Sequence, residues 1–541
     1  MATPAERALG ISAASGRFVA RIPEGTTVRD ALLRERVFLR ASCCGRGICG
    51  SCRVCARSGG LSPVTEAERT LLSPSLLEDG WRLACQARLM ADAEMDCADL
   101  AMGSGWTALG ERELPNHPLK LPAAVQGPPL GLAVDLGTTH IRVSLWDRRS
   151  CRRLAALTAP NPQAAYGTDV LSRLEAARGD TVRKLSTSVL AALGAALGDA
   201  SALAFGGAAI DHVGRAVVVG NTAMLMLLTE TPATHLLDPA NWQCRIACPT
   251  PARNDWHAAW GLPARAAVDI AQPLGGFIGS DLLACVLAAS LVERPAPALL
   301  IDVGTNTELA LWDGERLWVT SSPGGPAFEG VGISCGMAGG PGAVYRLRSR
   351  QSGDPFEAAV IGGRIAVGLC GSGLVDAVAL LCGRGAIRPT GRFAVAPPPG
   401  GYPLPLADEA GALTIEPADI DAFQRAKAAI AAAAQALLSE AGMHWEQLQR
   451  LHLCGVFGRH LQLDNARSVG LIPGLAEDRI ELHDHAALRG CELALLEPEG
   501  CGLLERIAGR CRLLNAARMQ RFDDYFIDHL RLRPWPHTEA G

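Results

Sequence analysis

LAVDLGTT (Leu132 to Thr139) is echoed by LLIDVGTN (Leu299 to Asn306). In each copy an apolar run ends at an aspartate, Asp135 or Asp302, and enters a Gly-Thr turn. The turns are Gly137-Thr138-Thr139 and Gly304-Thr305-Asn306. Apolar residues alternate again on leaving them, at Ile141, Val143 and Leu145 and at Leu309 and Leu311. Alternation is the period of a strand buried on one face, so each copy reads as a β-hairpin. A single Asp-x-Gly-Thr is weak, because both residues are common in turns and a tight hairpin accounts for it. The duplication is stronger and divides the last four hundred residues into two related half-units.

The chemistry of the hairpins follows from their residue types. A carboxylate at a strand end can hold a metal-bound water, and the N–H groups and hydroxyls of a Gly-Thr turn can hold phosphate. Two facing copies would clamp a triphosphate. Asp135 and Asp302 are therefore the candidate Mg2+ and water-positioning groups, and Gly137, Thr138, Thr139, Gly304, Thr305 and Asn306 the candidate phosphate contacts. Glu308 and Glu329 are candidate bases for activating a water. Further glycine turns at Gly324-Gly325, Gly371-Ser372-Gly373 and Gly455 to Gly458 let backbone approach a phosphate or adenosine closely; their plain alternative is ordinary tight turns. Ala418 to Ala441 has the pattern of a long Ala-rich helix stopped by Gly442, and Leu451 to Cys454 reads as a strand. Strands alternating with helices indicate α/β lobes, expected at 131–212 and 213–538.

Upstream, residues 98–130 mix Gly, Pro and polar residues with little periodicity and read as a linker. Residues 8–97 form a small mixed domain, with a strand at Phe18 to Ile22, a Pro23-Glu24-Gly25 turn, and Thr27 capping a helix over Val28 to Arg34. Within it CCGRGICGSC (Cys43 to Cys52) and a distant Cys85 offer four thiolates, Cys43, Cys49, Cys52 and Cys85, three of them on one loop. Gly45, Gly47 and Gly50 let that loop bend and turn N–H groups toward inorganic sulfide, which suits a [2Fe-2S] cluster. Cys44 in place of Cys43 would give the plant-type C-x4-C-x2-C register. The same thiols could hold zinc. A [4Fe-4S] run is imitated by Cys49, Cys52 and Cys55 but breaks at Gly59. Cys55 and Cys97 read as ordinary thiols.

Composition bounds the rest. A chain of 541 residues exceeds one core, so two to four domains are expected. The net charge of −4 comes without a basic block, which excludes nucleic acid as the expected partner. The first twenty residues lack an apolar core of signal-peptide length, and polar residues interrupt the apolar stretch from Leu203 to Leu228. A cytoplasmic protein with no membrane association is expected. Eighteen cysteines in such a chain do not form a disulfide framework. The pair His483 and His485 reads as a solvated turn unless another ligand lies near it.

Over nearly its full length the chain resembles the reductive activators of corrinoid proteins, and its second part resembles the ATPase superfamily of actin, sugar kinases and heat-shock ATPases. The resemblance is carried by the cysteine loop, RLACQ (Arg82 to Gln86), NPQ (Asn161 to Gln163), YGTDV (Tyr166 to Val170), VGNT (Val219 to Thr222) and DVGTN (Asp302 to Asn306). It continues through GPAFEG (Gly325 to Gly330), CGSG (Cys370 to Gly373) and GVFG (Gly455 to Gly458). It implies an α/β multidomain fold: a β-grasp [2Fe-2S] ferredoxin-like domain followed by duplicated RNase H-like lobes. It also implies an ATP-dependent activase that passes an electron from the cluster to an inactive Co(II) corrinoid protein of a methyltransferase system, restoring Co(I). A low-potential electron donor would refill the cluster, and a homodimer is the default assembly. The chain departs from the family pattern at Cys44, at Ser322-Pro323 and at His483-Asp484-His485. Two other readings stand beside this one: a ferredoxin-type carrier on a non-hydrolysing ATPase-like scaffold, and a small-molecule kinase with an accessory redox domain. An oxygenase reductase would need a G-x-G-x-x-G fingerprint in a strand-turn-helix setting, and none is found there.

Overall fold

The computed structural model describes residues 5–13, 16–34, 47, 52–72, 74–97, 106–110, 114, 128–167, 169–177, 179, 181–207, 210–232, 234–251, 254–340, 342–349, 354–363, 366–407, 413–455, 457, 460–519 and 521–535. Cys43, Cys44, Cys49, Gly45, Gly50 and Gly458 lie outside them.

The first sheet holds β1 (Glu6–Ala13), β2 (Gly16–Pro23), β3 (Arg53–Leu61), β4 (Trp81–Leu83) and β5 (Leu89–Cys97) in the order β2-β1-β5-β3-β4. β1 runs antiparallel to β2 and parallel to β5, which makes the sheet mixed, as a β-grasp requires. The Thr27 hydroxyl accepts the Asp30 N–H at 3.1 Å and so caps the helix Val28–Arg34. Leu9, Ile11, Ile22, Val28, Leu32 and Leu83 fill the core between helix and sheet. The sheet begins at Glu6, two residues before the expected start at 8.

One buried carboxylate fixes the segment before Cys85. Glu68, fully buried on the helix Glu66–Leu71, takes Arg82 through Nε at 2.9 Å and Nη2 at 3.1 Å, the Leu83 N–H at 3.0 Å and the Thr65 N–H at 2.8 Å. Burial alone would raise its pKa, but the Arg82, Thr65 and Leu83 bonds outweigh it and hold Glu68 below the ordinary value.

The second sheet contains β6 (Thr107–Ala108), β7 (Leu130–Leu136), β8 (His140–Asp147), β9 (Arg152–Pro160), β10 (Val213–Gly220) and β11 (Ala267–Ile270), ordered β11-β10-β7-β8-β9-β6. The third contains β12 (Ala298–Val303), β13 (Thr307–Trp312) and β14 (Leu317–Ser322). After a three-stranded insertion of β15 (Ala343–Arg348), β16 (Glu357–Val360) and β17 (Gly368–Leu369) and a ribbon of β18 (Tyr402–Pro403) and β19 (Thr414–Ile415), it is completed by β20 (Arg450–Gly455), β21 (Ile480–His483) and β22 (Cys511–Leu513). Its order is β21-β20-β12-β13-β14-β22. In both sheets an antiparallel hairpin, β7–β8 or β12–β13, is extended by a parallel strand, β10 or β20. The repeat seen in the sequence is thus a repeat of topology.

Two boundaries move. β10 and β11 pair into the first sheet, so the first lobe continues well beyond residue 212, and the interlobe division falls near 295. A parallel strand joins its sheet through a long crossover, and no local signal marks where it belongs. The expected linker also takes part in the fold, since β6 pairs with β9 and the Trp106 indole N–H donates to the Ala192 carbonyl at 3.1 Å.

The helix Thr181–Phe205 is long and apolar enough to cross a membrane by length and composition. Its buried stripe of Leu185, Val189, Leu193, Ala196, Leu197 and Ala200 follows the helical period and packs on the first lobe, as a core helix does.

The helices Ser280–Ala288 and Ala486–Leu496 pack together between the two large sheets, close enough that a side chain at Gly490 would strike the Ala284 carbonyl. Beside them Glu492 of the second lobe receives Arg153 of the first, through Nε at 2.8 Å and Nη2 at 2.6 Å, with both side chains buried.

Removing one partner of a buried, hydrogen-bonded charge pair costs about 3–5 kcal/mol. Glu68→Ala is expected to destabilise the first domain by that amount and to lower iron per chain, checked by denaturant unfolding and iron assay. Unchanged stability and iron content would refute the anchoring role.

Candidate functional site

The two Gly-Thr turns meet. Thr139, leaving the first hairpin turn, lies 3.1 Å hydroxyl to hydroxyl from Thr305 of the second, and Glu329 accepts hydrogen bonds from both, at 3.1 Å from Thr139 and 2.9 Å from Thr305. Each turn is braced from behind. Asn161 donates its amide to the Gly137 carbonyl at 2.8 Å, and its backbone N–H goes to the Thr139 carbonyl at 2.9 Å. In the second lobe a side chain at Gly325 would run into the Gly304 carbonyl, so glycine is required for the helix Gly325–Phe328 to approach the turn. Gly455, at φ +84°, fits against the Val303 carbonyl in the same way.

Below the turns lie four carboxyl groups, Asp135 and Glu308 buried and Asp281 and Asp302 partly buried. Asp135 ends β7 and receives Arg142 at 3.2 Å; burial raises its pKa against the pull of that guanidinium. Burial lifts Asp302 to about 6, with Asp135 adding to the rise and a hydrogen bond from the Cys285 thiol, at 3.4 Å, opposing it. Asp281, which opens the helix Ser280–Ala288, is lifted to about 8 by burial and by the charges of Asp302 and Asp135. Glu308 is raised well above the carboxylate range by burial, Asp281 and Asp302; its Oε1 accepts the Gly279 N–H at 3.4 Å, and its Oε2 has no partner among the described residues. Carboxyl groups so raised keep their protons to higher pH than usual, and a cation among them would reverse that shift. Glu308 is in consequence a poor base in this state.

The Nδ2 of Asn306 is buried without a hydrogen-bond partner among the described residues, as is the Thr222 hydroxyl. Buried donors without partners are uncommon, and an anionic ligand in the cleft would satisfy them. This donor set, together with the carboxyl chamber, fits a magnesium nucleotide.

Other expected residues play structural parts. The Ser372 hydroxyl is spent on the Tyr345 carbonyl at 2.7 Å. A side chain at Gly371 or Gly373 would strike the Phe328 or Val344 carbonyl, so both serve the packing of the helix Gly371–Gly383. Its N-terminus carries no side-chain cap and leaves N–H groups for an anion. Gly324 packs against the Ala426 carbonyl, and Thr138 is buried.

Asp281 was not singled out from the sequence. Its available signal is a lone carboxylate, in GSDLLACVLA (Gly279 to Ala288), opening a helix that is otherwise almost wholly apolar.

In the first domain Cys52 and Cys85 lie side by side, both buried. A hydrogen bond with Cys52 draws the Cys85 thiol down to about 6 against burial, helped by Gln86, the Gly47 N–H and the charge of Arg29. Gly47, at φ +72°, has no room for a side chain, which would meet the Gln86 amide at 2.6 Å. A buried thiol pair of which Cys85 is inclined to ionise, with the Gly47 N–H aimed at its sulfur, fits an iron-sulfur cluster. Arg29 also donates to the Ala165 carbonyl of the first lobe at 2.8 Å, four residues from Asn161.

Three domain families match this chain: a 2Fe-2S iron-sulfur cluster binding domain over residues 14–90, the RACo middle region over 130–294, and the C-terminal domain of RACo, the ASKHA domain, over 296–540. Two of the three are RACo domains, lying side by side in the chain. Its N-terminal domain is of the 2Fe-2S cluster-binding type, and its ASKHA region is of a kind that fits nucleotide. Among similar proteins, the corrinoid activation enzyme RamQ of Eubacterium limosum is 29% identical over 404 residues, covering 70% of this chain and 66% of RamQ. A Co(II) methylated amine-specific corrinoid protein reductase of Methanosarcina barkeri is 30% identical over 243 residues, covering 40% of this chain and 42% of that protein. The chain thus spans just under two thirds of the first relative and about two fifths of the second. A solved structure of a reductive activator for corrinoid, iron-sulfur protein superposes with a TM-score of 0.66 at 23% identity, covering 98% of this chain and 99% of that one, and supports the fold.

A positive charge near a cluster favours its reduced, more negative form. Arg29→Gln is expected to lower the midpoint potential by about 20–50 mV, the scale of one partly screened charge at cluster distance, measured by redox titration of the cluster's absorbance. An unchanged or raised potential would show that Arg29 does not act on the cluster.

Proposed function

We propose that this chain is an ATP-dependent reductive activator, which passes one electron from a [2Fe-2S] cluster to the Co(II) centre of a corrinoid protein and restores the Co(I) form needed for methyl transfer. The observation that carries the ATP-dependent part is the meeting of Thr139 and Thr305 over the carboxyl groups, with Glu329 bridging both hydroxyls. The names of the two relatives support the corrinoid partner.

When bound, the cluster supplies one-electron reduction and the magnesium nucleotide supplies binding or hydrolysis energy. Plant-type [2Fe-2S] centres lie near about −400 mV, and reducing a Co(II) corrinoid from there is uphill, so a second source of free energy is needed. Cys43, Cys49, Cys52 and Cys85 are assigned to hold the cluster. Asp135 and Asp302 would hold the cation, with Asp281 and Glu308 as neighbouring carboxyl groups. Thr139, Thr305 and the Asn306 amide turn toward phosphate when Glu329 releases the two hydroxyls, which lets the lobes change their separation. Lobe closure is the element through which ATP acts on the corrinoid partner. A low-potential donor returns the electron to the cluster, and the whole cycle is assigned to the cytoplasm.

The direct test is anaerobic ATP hydrolysis by the cluster-loaded chain, with and without a Co(II) corrinoid protein, while Co(I) absorbance is followed. Stimulated hydrolysis with Co(I) formation is expected. Removing one preorganised donor typically lowers kcat by about 10²-fold, so Thr305→Val should do so here while leaving cluster absorbance intact. Co(I) formation at full rate without nucleotide would overturn the proposal in favour of a carrier on a retired scaffold.

The pKa values set a second expectation. Asp302 near 6 and Asp281 near 8 keep their protons to higher pH than in the unfolded chain, so the stability they lend is present below the unfolded carboxylate value and is lost as pH rises through 6 and 8. Cation binding needs the ionised forms. Affinity for magnesium with a non-hydrolysable ATP analogue should therefore rise from pH 6 to 8, by up to about tenfold per pH unit for each proton released. Calorimetry in buffers of different ionisation enthalpy reads both affinity and proton release; affinity independent of pH would place the cation elsewhere.

A further inference from the structure

At the free edge of the third sheet, β20 and β21 run parallel with His452 opposite Glu481 and Cys454 opposite His483. Alternation puts His452, Glu481 and His483 on one face of the pair. His452 Nδ1 lies 2.9 Å from His483 Nε2, and Glu481 Oε2 lies 3.7 Å from the former and 3.9 Å from the latter. A point equidistant from three atoms with these separations is about 2.1 Å from each. That is the bond length of zinc to imidazole nitrogen and carboxylate oxygen, about 2.0–2.2 Å.

His452 is a histidine between two core leucines, Leu451 and Leu453, with no exposure to solvent. Its contacts with His483 and Glu481 are both made at Nδ1. Burying an imidazole is costly, and one bond to a second imidazole is a small return. Burial draws His452 down to about 3 and also lowers His483, so both rings are neutral. The 2.9 Å contact is a ring-to-ring hydrogen bond in which one nitrogen carries a proton, and an ion bound between the rings would displace that proton. Arg294 at 3.4 Å and Arg450 at 3.7 Å flank Glu481. Arg294 donates to Oε2, the oxygen that faces the imidazoles, and Arg450 lies nearest Oε1, so an ion at this site would share Oε2 with Arg294.

We propose that His452, Glu481 and His483 form a binding site for one divalent transition-metal ion of the zinc class, separate from the cysteine cluster and the carboxyl chamber. Two imidazoles and a carboxylate are a zinc donor set that leaves a position for water. The ion ties the edge strand β21 to β20 at the strand ends, where His483 is in register with Cys454 and Asp302. The sequence alone paired His483 with His485; the fold replaces His485 by His452 and Glu481, separated in sequence but adjacent through parallel pairing.

The test uses the full, cluster-loaded chain, dialysed anaerobically against micromolar zinc with excess magnesium and then desalted, with zinc and iron measured in the same sample. Bound zinc is expected at about one per chain, falling at least fivefold in both His483→Gln and Glu481→Gln, with iron unchanged. Zinc should also raise the Tm of the parent chain and not that of His483→Gln. These two side chains are partly exposed, so their variants are the ones that should fold; His452→Gln is a third, buried variant. No zinc uptake by the parent, or equal uptake by His483→Gln and the parent, would overturn the site.

Discussion

Asp135, Asp281, Asp302 and Glu308 come from four different elements and are held together largely away from water, and most of the two-lobed body serves to keep them there. Carboxyl groups repel once ionised, and desolvation penalises their charge further, so nothing in the chamber itself would assemble it. The assembling forces lie around it. The β7 and β12 hairpins are buried strands, the helices Ser280–Ala288 and Ala486–Leu496 pack between the sheets, and Arg153 closes on Glu492 across the lobes. Hydrophobic burial in the shared core offsets the cost of bringing these carboxyl groups together.

This arrangement gives cation binding a mechanical consequence. Without a cation, Glu329 gathers the two threonine hydroxyls and holds the turns of both lobes together. A phosphate in the cleft competes with Glu329 for the same hydroxyls and offers the unpartnered Asn306 amide an acceptor as well. On the proposed function the turns would have two sets of partners, and nucleotide binding would choose between them. A two-state element of this kind is what a ligand needs in order to shift a conformational equilibrium.

The parts legible in the sequence are those whose signal is local. Asp135 and Asp302 could be paired because the same eight-residue pattern occurs twice, and Cys52 and Cys85 because thiols among glycines have few other uses. The helix expected over Ala418 to Ala441 is observed at Pro417–Glu440, because its pattern and its Gly442 stop lie within one segment. What escaped depends on contacts distant in sequence. β10 reads as the start of something new after a long apolar helix, yet it pairs with β7, some eighty residues earlier. Ser372 reads as a phosphate ligand in a glycine turn, yet its hydroxyl is taken by Tyr345. Asp281 reads as one more helix-opening acid until the fold brings Asp302 and Glu308 to it. Local pattern specifies hairpins, caps and cysteine loops, whereas parallel register and buried charge are properties of the assembled sheets.

An activator of the proposed kind has to couple an event in the nucleotide cleft to an electron held in another domain, and the contact at Arg29 lies where such coupling would pass. The guanidinium acts electrostatically on Cys85 and donates to Ala165. The turn containing Ala165 begins at Asn161, whose side chain and backbone both hold the Gly137-Thr138-Thr139 turn. Shifting that turn from Glu329 to phosphate would pull on Asn161, and hence on the carbonyl to which Arg29 is bonded. A guanidinium drawn away from the thiolates makes the reduced cluster less stable and the electron more readily given up. Nucleotide binding would in this way raise the reducing power of the cluster at the moment the lobes present it to a partner, and the free energy would come from the differential affinity of the two turn states for phosphate.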